Sequence, residues 1–356
     1  MVNKLLRGIV LMASLVLTMG AGAMPFSAMY VFGDSLSDNG NDLNLSSAIH
    51  GVNPAFPIVP GAPADLPGRF SNGKVAVEYL AGALGLPLTP HYVTPPFLGG
   101  LTAGNNYAQG GATTGLENAS LPATVSGLPT GFKGTTAEIN DYRSSVAAAD
   151  PSALYVVWAG PNDFIHPGST AILPSCVASP SPSICTGVTN VVNDVALLAG
   201  MGASHILVPN MPDLGVTPLA INSGTTPSAT ALSVAFDANL AAGLLGISSI
   251  FPGVIIPFDV FSLVDLLVAN PAAFGFSDVT HSCLSGSSAD SASIISAACA
   301  AAGPGQYLFW DDVHPTTQAD MILAAGFERA LGVPEPASVA LLALGLAMLV
   351  TLRARC

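Results

Sequence analysis

Ser35 stands in the run Tyr30-Val31-Phe32-Gly33-Asp34-Ser35-Leu36-Ser37-Asp38-Asn39-Gly40-Asn41, where an apolar, β-like segment ends abruptly in a Gly-Asp-Ser-Leu turn. A hydroxyl held at the end of a strand can attack an acyl carbon, and the N-terminus of a helix beginning behind it can stabilise an oxyanion. Three later turns carry complementary groups: Gly110-Gly111, Gly160-Pro161-Asn162-Asp163 and Asp311-Asp312-Val313-His314-Pro315. A serine hydroxyl is a poor nucleophile until a base takes its proton, and His314 is the candidate base. Asp311, three residues before it, can bond the imidazole nitrogen that faces away from the serine, and neither spacing nor loop geometry excludes Asp312. Each turn alone has a structural reading as a helix cap or an ordinary turn. Their joint occurrence, each after an apolar run, is what points to chemistry.

Such groups converge only if the elements place them at one edge. Met29–Phe32, Ala153–Trp158, His205–Val208 and Val254–Pro257 are short apolar runs suited to buried parallel strands, with Asn105–Ala108 as a weaker candidate. Val75–Leu84, Thr135–Ala149, Val188–Met201, Thr230–Leu245 and Thr317–Leu331 have helical character and alternate with them. This order predicts a doubly wound three-layer α/β/α sandwich, whose ligands sit beyond the carboxyl ends of the strands. All four polar turns fall after predicted strands or after the apolar run Tyr307–Trp310. The Pro- and Gly-rich stretches Val52–Arg69, Leu116–Gly134 and Pro167–Ser183 are loop candidates for shaping a cleft. Asp38, Asn39 and Asn41 read as turn and cap residues that support the Ser35 loop. His166 follows the Asn162 turn, but no motif gives it a role.

These stretches resemble the four sequence blocks of the GDSL lipase/esterase family, also called SGNH hydrolases. The serine lies in Gly33-Asp34-Ser35-Leu36 near the start of the body, not in a central Gly-x-Ser-x-Gly elbow, which separates the chain from the α/β-hydrolase pattern. Gly68-Arg69-Phe70-Ser71-Asn72-Gly73-Lys74 with Glu78-Tyr79-Leu80-Ala81, and Val208-Pro209-Asn210-Met211-Pro212-Asp213-Leu214-Gly215, also look like family segments, so the likeness runs from about Tyr30 to Gly332. The resemblance implies a flavodoxin-like, mainly parallel sheet, no metal or organic cofactor, and ester hydrolysis through an acyl-enzyme. It implies Ser35 as nucleophile, His314 as base and Asp311 as its carboxylate. It also implies an oxyanion hole from the Ser35 and Gly111 backbone N–H groups and the Asn162 side chain, with a one-residue shift to Gly110 left open. Lipids, small acyl esters and acylated polysaccharides all fit the family. An acyltransferase would replace water with another alcohol in the second step, and a non-catalytic surface protein on the same fold is the alternative of a different class.

Both ends read as processing segments. Lys4 and Arg7 precede an apolar run from Gly8 to Thr18, and Ala21-Gly22-Ala23 gives a small-x-small cleavage pattern, so residues 1–23 are expected to be a secretory signal peptide. Val333-Pro334-Glu335-Pro336, an apolar stretch to Leu352 and a basic end resemble the PEP-CTERM sorting signal of Gram-negative bacteria. That resemblance implies signal peptidase and an exosortase-like enzyme as partners, and a position at the cell surface or outside the cell. A permanent anchor over 334–356 is the alternative. The body, residues 24–333, then reads as one domain. The ends hold four of the nine basic residues and one of the 22 acidic ones, which leaves the body at about −16. Such a surface repels phosphate backbones, so nucleic acid is an unsuitable partner. Among the five cysteines, Cys176 with Cys185 and Cys283 with Cys299 each bracket a short loop and are the favoured pairs, although spacing alone leaves the connectivity open. No Cys-x-x-Cys or paired-His spacing suggests a metal.

Overall fold

A computed structural model of the protein describes residues 26–64, 66–165 and 182–333, with side chains 182–185 left undescribed. Strands β1 (Met29–Gly33), β2 (Leu154–Trp158), β3 (Ile206–Pro209) and β4 (Ile255–Phe258) lie side by side in that order, all parallel. Every residue of β2 is buried, as its unbroken Leu-Tyr-Val-Val-Trp run requires of a strand covered on both faces. Asn105–Ala108 borders β1 on its other side: Val31 N–H donates to Asn105 O (3.1 Å) and Tyr107 N–H to Val31 O (2.8 Å). It is an isolated bridge rather than a strand. On its outer side it meets Pro90, which has no N–H with which to continue a ladder. With that bridging segment counted as the second position in chain order beside the four strands, the order is 2-1-3-4-5, the flavodoxin-like arrangement.

Helices cover both faces. On one, α1 (Asn41–Val52), α3 (Thr135–Ser145), α4 (Pro182–Gly200) and α5 (Thr226–Ile250) bury Leu45, Ile139, Val195 and Phe236 in one core with Phe32, Tyr155 and Ile206 of the strands. On the other, α7 (Thr317–Ala330) sets Phe327 edge-on against Trp158 (5.7 Å) and Phe258 (5.0 Å), and α2 (Ala76–Ala83) packs on α7. Helix α6 (Val260–Ala269) follows β4. The α/β/α sandwich is as expected. Several details differ. The predicted helix Thr135–Ala149 stops at Ser145, because Ser144 and Ser145 donate their hydroxyls back to Asp141 O and Tyr142 O and compete with the helical ladder. Helix α5 extends beyond the predicted Thr230–Leu245 at both ends.

Beyond α6 the chain forms a separate parallel pair, β5 (Asp278–Ser282) with β6 (Tyr307–Phe309), so the run before His314 is not part of the main sheet. A disulfide joins Cys283 to Cys299. The other favoured pair, Cys176–Cys185, lies outside the described side chains, as do both terminal segments, His166 and almost all of the loop Pro167–Ser183.

Candidate active site

The end of β1 is fixed by backbone demands. Gly33 has φ +151° and a Cβ there would fall 2.1 Å from the Trp158 carbonyl oxygen, so only glycine lets the two paired strands lie this close here. The Asp34 carbonyl then accepts the N–H groups of Ser37 and Asp38, and its Oδ1 accepts that of Leu36, which closes a tight turn with Ser35 inside it. Helix α1 begins only at Asn41, and the N–H groups of Gly40, Asn41 and Asp42 are taken by the Asp38 carboxylate (2.8, 2.7 and 3.2 Å). The expected helix N-terminus directly behind Ser35 is therefore absent, because an acidic side chain has already occupied it. Asp38 Oδ2 also accepts the Gly110 N–H (3.2 Å), while Asn41 Nδ2 donates to Asn106 O and Ala108 O. Asp38 and Asn41 thus tie the Ser35 turn to the Gly110-Gly111 turn.

The His314 loop closes on the same place. His314 Nε2 lies 2.7 Å from Ser35 Oγ, across 279 residues of chain. Its Nδ1 lies 2.9 Å from both oxygens of Asp311. The Asp311 carboxylate also accepts the N–H groups of Val313 (3.0 Å), His314 (2.8 Å) and Ser288 (2.9 Å). Asp312, the competing carboxylate, is exposed and accepts the Ser282 hydroxyl instead. The Gly68–Lys74 segment braces the loop: the Phe70 ring lies 5.3 Å from that of His314, and Ser71 Oγ donates to Pro315 O.

Ser35, Gly110, Gly111, Asn162, Asp311 and His314 line one cavity. The two glycines differ in their partners. The Gly110 N–H is spent on Asp38, whereas among the described residues no acceptor takes the N–H of Gly111 or of Ser35. Asn162 Nδ2 donates one hydrogen to Ala112 O (3.0 Å), and among the described residues no acceptor takes the other. Asp163, by accepting the N–H and hydroxyl of Thr114, fastens the Asn162 turn to the glycine turn. Gly111 sits at φ +74°, and a Cβ there would meet Ser120 at 2.6 Å.

Electrostatics divides the buried carboxyls. Burial pushes Asp311 upward, but the His314 charge and the hydrogen bonds from His314, Ser288 and Val313 together hold it well below the usual carboxylate range. Burial alone would lower His314, and the Asp311 carboxylate outweighs it, so its pKa is raised. Asp34 is pushed by burial to about 7 and Asp38 to about 6. Burial also raises Asp42, helped by the charge of Asp38, and Glu138. Sequence reasoning did not single out Ser288 or Phe70. Ser288 sits in a Ser-rich loop with nothing to mark it, whereas Phe70 belongs to a stretch already notable for its family likeness.

A parallel α/β sandwich with a serine, histidine and aspartate in hydrogen-bond sequence beside its sheet has the architecture of a serine-hydrolase class. The model of the GDSL-like lipase/acylhydrolase family matches residues 29–327, and the chain belongs to that family. It is 28% identical to the GDSL esterase/lipase At2g04570 of Arabidopsis thaliana, with 85% of this chain and 90% of the relative covered. It is 30% identical to esterase EstA of Pseudomonas aeruginosa, covering 91% of this chain and 50% of the relative. An uncharacterised Pseudomonas putida protein is 31% identical, over 88% and 50%. The chain thus spans about half the length of the two bacterial relatives. Among solved structures, an acetylxylan esterase of Geobacillus stearothermophilus overlays with TM-score 0.39 at 14% identity, over 87% of this chain and 97% of that one.

Proposed function

We propose that this protein is an exported serine ester hydrolase that works through an acyl-enzyme on Ser35. The observation that carries the reading is the unbroken chain Ser35 Oγ, His314, Asp311, with separations of 2.7 and 2.9 Å. With Nδ1–H donated to Asp311, Nε2 presents its lone pair to the serine hydroxyl. Ser35 Oγ attacks the ester carbon as its proton passes to His314 Nε2. The oxyanion takes up hydrogen bonds from the N–H groups of Ser35 and Gly111 and from the free hydrogen of Asn162. The alkoxide leaves with the proton held on His314. Water then attacks the acyl-enzyme, giving its proton to the same nitrogen, and Ser35 recovers a proton as the acid departs. Export is supported by the charged and apolar pattern of residues 1–23 and by the Cys283–Cys299 disulfide, which suits an oxidising compartment. The PEP-CTERM-like tail suggests sorting to the surface.

The test is hydrolysis of p-nitrophenyl esters by the purified protein beside Ser35→Ala. Turnover lost in the variant is the expected result. Equal rates for the two proteins would remove the serine from the mechanism.

A further inference from the structure

The donors to the oxyanion come from separate turns, so something must set the distances between them. Asp38 and Asn41 tie the Ser35 turn to the glycine turn. The Asn162 turn is tied to it through Thr114, which follows shortly after Gly111 and has no exposure. Asp163 Oδ1 accepts the Thr114 N–H (2.9 Å) and Oδ2 the Thr114 hydroxyl (2.7 Å). Two helices then hold Thr114 from behind. On α4, Asn190 Nδ2 donates to Thr114 Oγ1 (3.0 Å). On α3, the Thr136 hydroxyl donates to Thr114 O (2.9 Å), and its oxygen lies 2.8 Å from Asp194 Oδ2 of α4. Gly187, Asn190 and Asp194 follow one another at spacings of three and four, which puts them on one face of α4. A Cβ at Gly187 would lie 2.7 Å from Asp163 Oδ2, which places the α4 backbone against that carboxylate.

We infer that Asp163, Thr114 and Asn190 are positioning residues, a strut from α4 that sets the separation of the Gly111 and Asn162 donors around the oxyanion. The inference rests on the hydrolase reading of Ser35 and adds what holds its donors in register. None of the three residues lines the cavity, so they act through their neighbours and not on the substrate. Asn162 directly precedes Asp163, and its amide donates to Ala112 O, next to Gly111 (3.0 Å). That bond fixes how the amide is turned. The Asp163–Thr114 pair fixes how far apart the two turns stand. Both are needed, because a correctly turned donor that stands off stabilises the tetrahedral intermediate weakly, and a misplacement of about 1 Å can cost about 10²-fold in rate. A ground-state ester carries less charge on its carbonyl oxygen and loses far less from the same displacement. The strut therefore acts on kcat and leaves KM nearly unchanged.

The test is kcat and KM on one p-nitrophenyl ester for the full chain carrying Asp163→Ala, Thr114→Val or Thr114→Ser. Asp163→Ala should lower kcat about 10²-fold with KM within about threefold. Thr114→Val keeps the shape without the hydroxyl and should cost about tenfold in kcat, whereas Thr114→Ser keeps the hydroxyl and should stay within about twofold. Added to Asn162→Ala, Asp163→Ala should cost less than about fivefold more, since with the amide gone no separation is left to set. Urea midpoints read folding separately, and Thr114→Val carries the test if Asp163→Ala does not fold. Turnover that needs Ser35 but keeps its kcat in these variants, whatever their midpoints, overturns the strut and leaves the hydrolase standing. So does a double variant in which the two losses multiply in full. Butylboronic acid reads the donors without turnover: Ser35 Oγ adds to boron, its proton passes to His314, and an oxygen of the tetrahedral adduct takes the oxyanion position. Calorimetry should show its affinity about tenfold or more weaker in Asp163→Ala and weaker in Thr114→Val. Equal affinities in the parent and both variants overturn the inference even if no ester is hydrolysed.

Discussion

Two walls of the same cavity bury carboxyl groups and treat them in opposite ways. On the His314 side, Asp311 is almost wholly buried, yet it accepts three backbone N–H groups and faces an imidazole, and its pKa falls. On the Ser35 side, Asp34, Asp42 and Glu138 are as deeply buried, but Asp34 Oδ2, both Asp42 oxygens and Glu138 Oε1 accept no hydrogen bond. Their pKa values rise. The difference teaches that depth does not decide the charge of a buried acid. Desolvation acts on both walls; at Asp311 the opposite charge of His314 joins the donors and outweighs it, whereas on the other wall Asp38 accepts four N–H groups and is still raised. One wall holds a carboxylate whose pKa is lowered beside His314, and the other holds acids whose pKa values burial raises around the serine turn.

The comparison breaks most severely if the charged member is neutralised. Asp311→Asn keeps the shape but removes the anion that holds Nδ1–H and stabilises imidazolium. A loss of about 10⁴ in kcat is expected. Asp312→Asn, on the exposed neighbour, should leave kcat within a factor of about two, since a surface substitution away from such features costs little. Stopped-assay rates on one ester for both variants make the test; similar losses in the two would contradict the assignment of Asp311. Asn162→Ala removes one donor to the oxyanion and should cost about 10²–10³ in kcat with a smaller change in KM.

The support behind Asp311 is next in size. Ser288, whose N–H bonds Asp311, lies in the loop closed by Cys283 and Cys299, a sequence separation of 16. Replacing both cysteines by serine should lower stability by about 3 kcal/mol, the value for a loop of this length. Urea unfolding measures it. If the loop also holds Ser288 on Asp311, kcat falls in the same variant while the Asn162 donor is untouched. An unchanged kcat would mean that backbone packing alone positions Ser288.

The legibility of the two walls in the sequence was unequal. The strands after which Ser35 and Asn162 stand were readable because buried parallel strands are continuous apolar runs. The Ser35, Gly111, Asn162 and His314 turns were readable because glycine, asparagine and proline punctuate strand ends. Helix α1 escaped because its first turn, Asn41 and Asp42, is polar and buried rather than amphipathic: Asn41 bonds Tyr92, Asn106 and Ala108 from far along the chain. Helix α6 escaped for the opposite reason, being apolar through most of Val260–Ala269. The opposed behaviour of Asp311 and Asp42 was not legible, because it depends on which charges and N–H groups the fold brings to each buried carboxylate: His314 and Ser288 at Asp311, Asp38 at Asp42. Sequence shows the acids and not their donors.

Asp42 offers the finest test of the contrast. Asp34 is raised to about 7 and Asp38 to about 6, from a usual 3.8, and Asp42 and Glu138 are raised beside them. The folded state therefore binds more protons than the unfolded one between pH 4 and 7. Stability is fully present below the unfolded value and is lost as pH rises through the folded values. Asp311 has the opposite sign: its contribution is present above pH 4 and is lost as pH falls. The Ser35 wall thus makes stability decline from about pH 4 toward neutrality, while Asp311 sets the acid limit. Asp42→Asn removes one member of the protonated group, so the decline should flatten. Stability at pH 8 should rise, with little change at pH 4. Urea midpoints at the two values read the difference. A variant with the same pH slope as the parent would show that Asp42 is ionised in the folded protein, and that the two walls are alike.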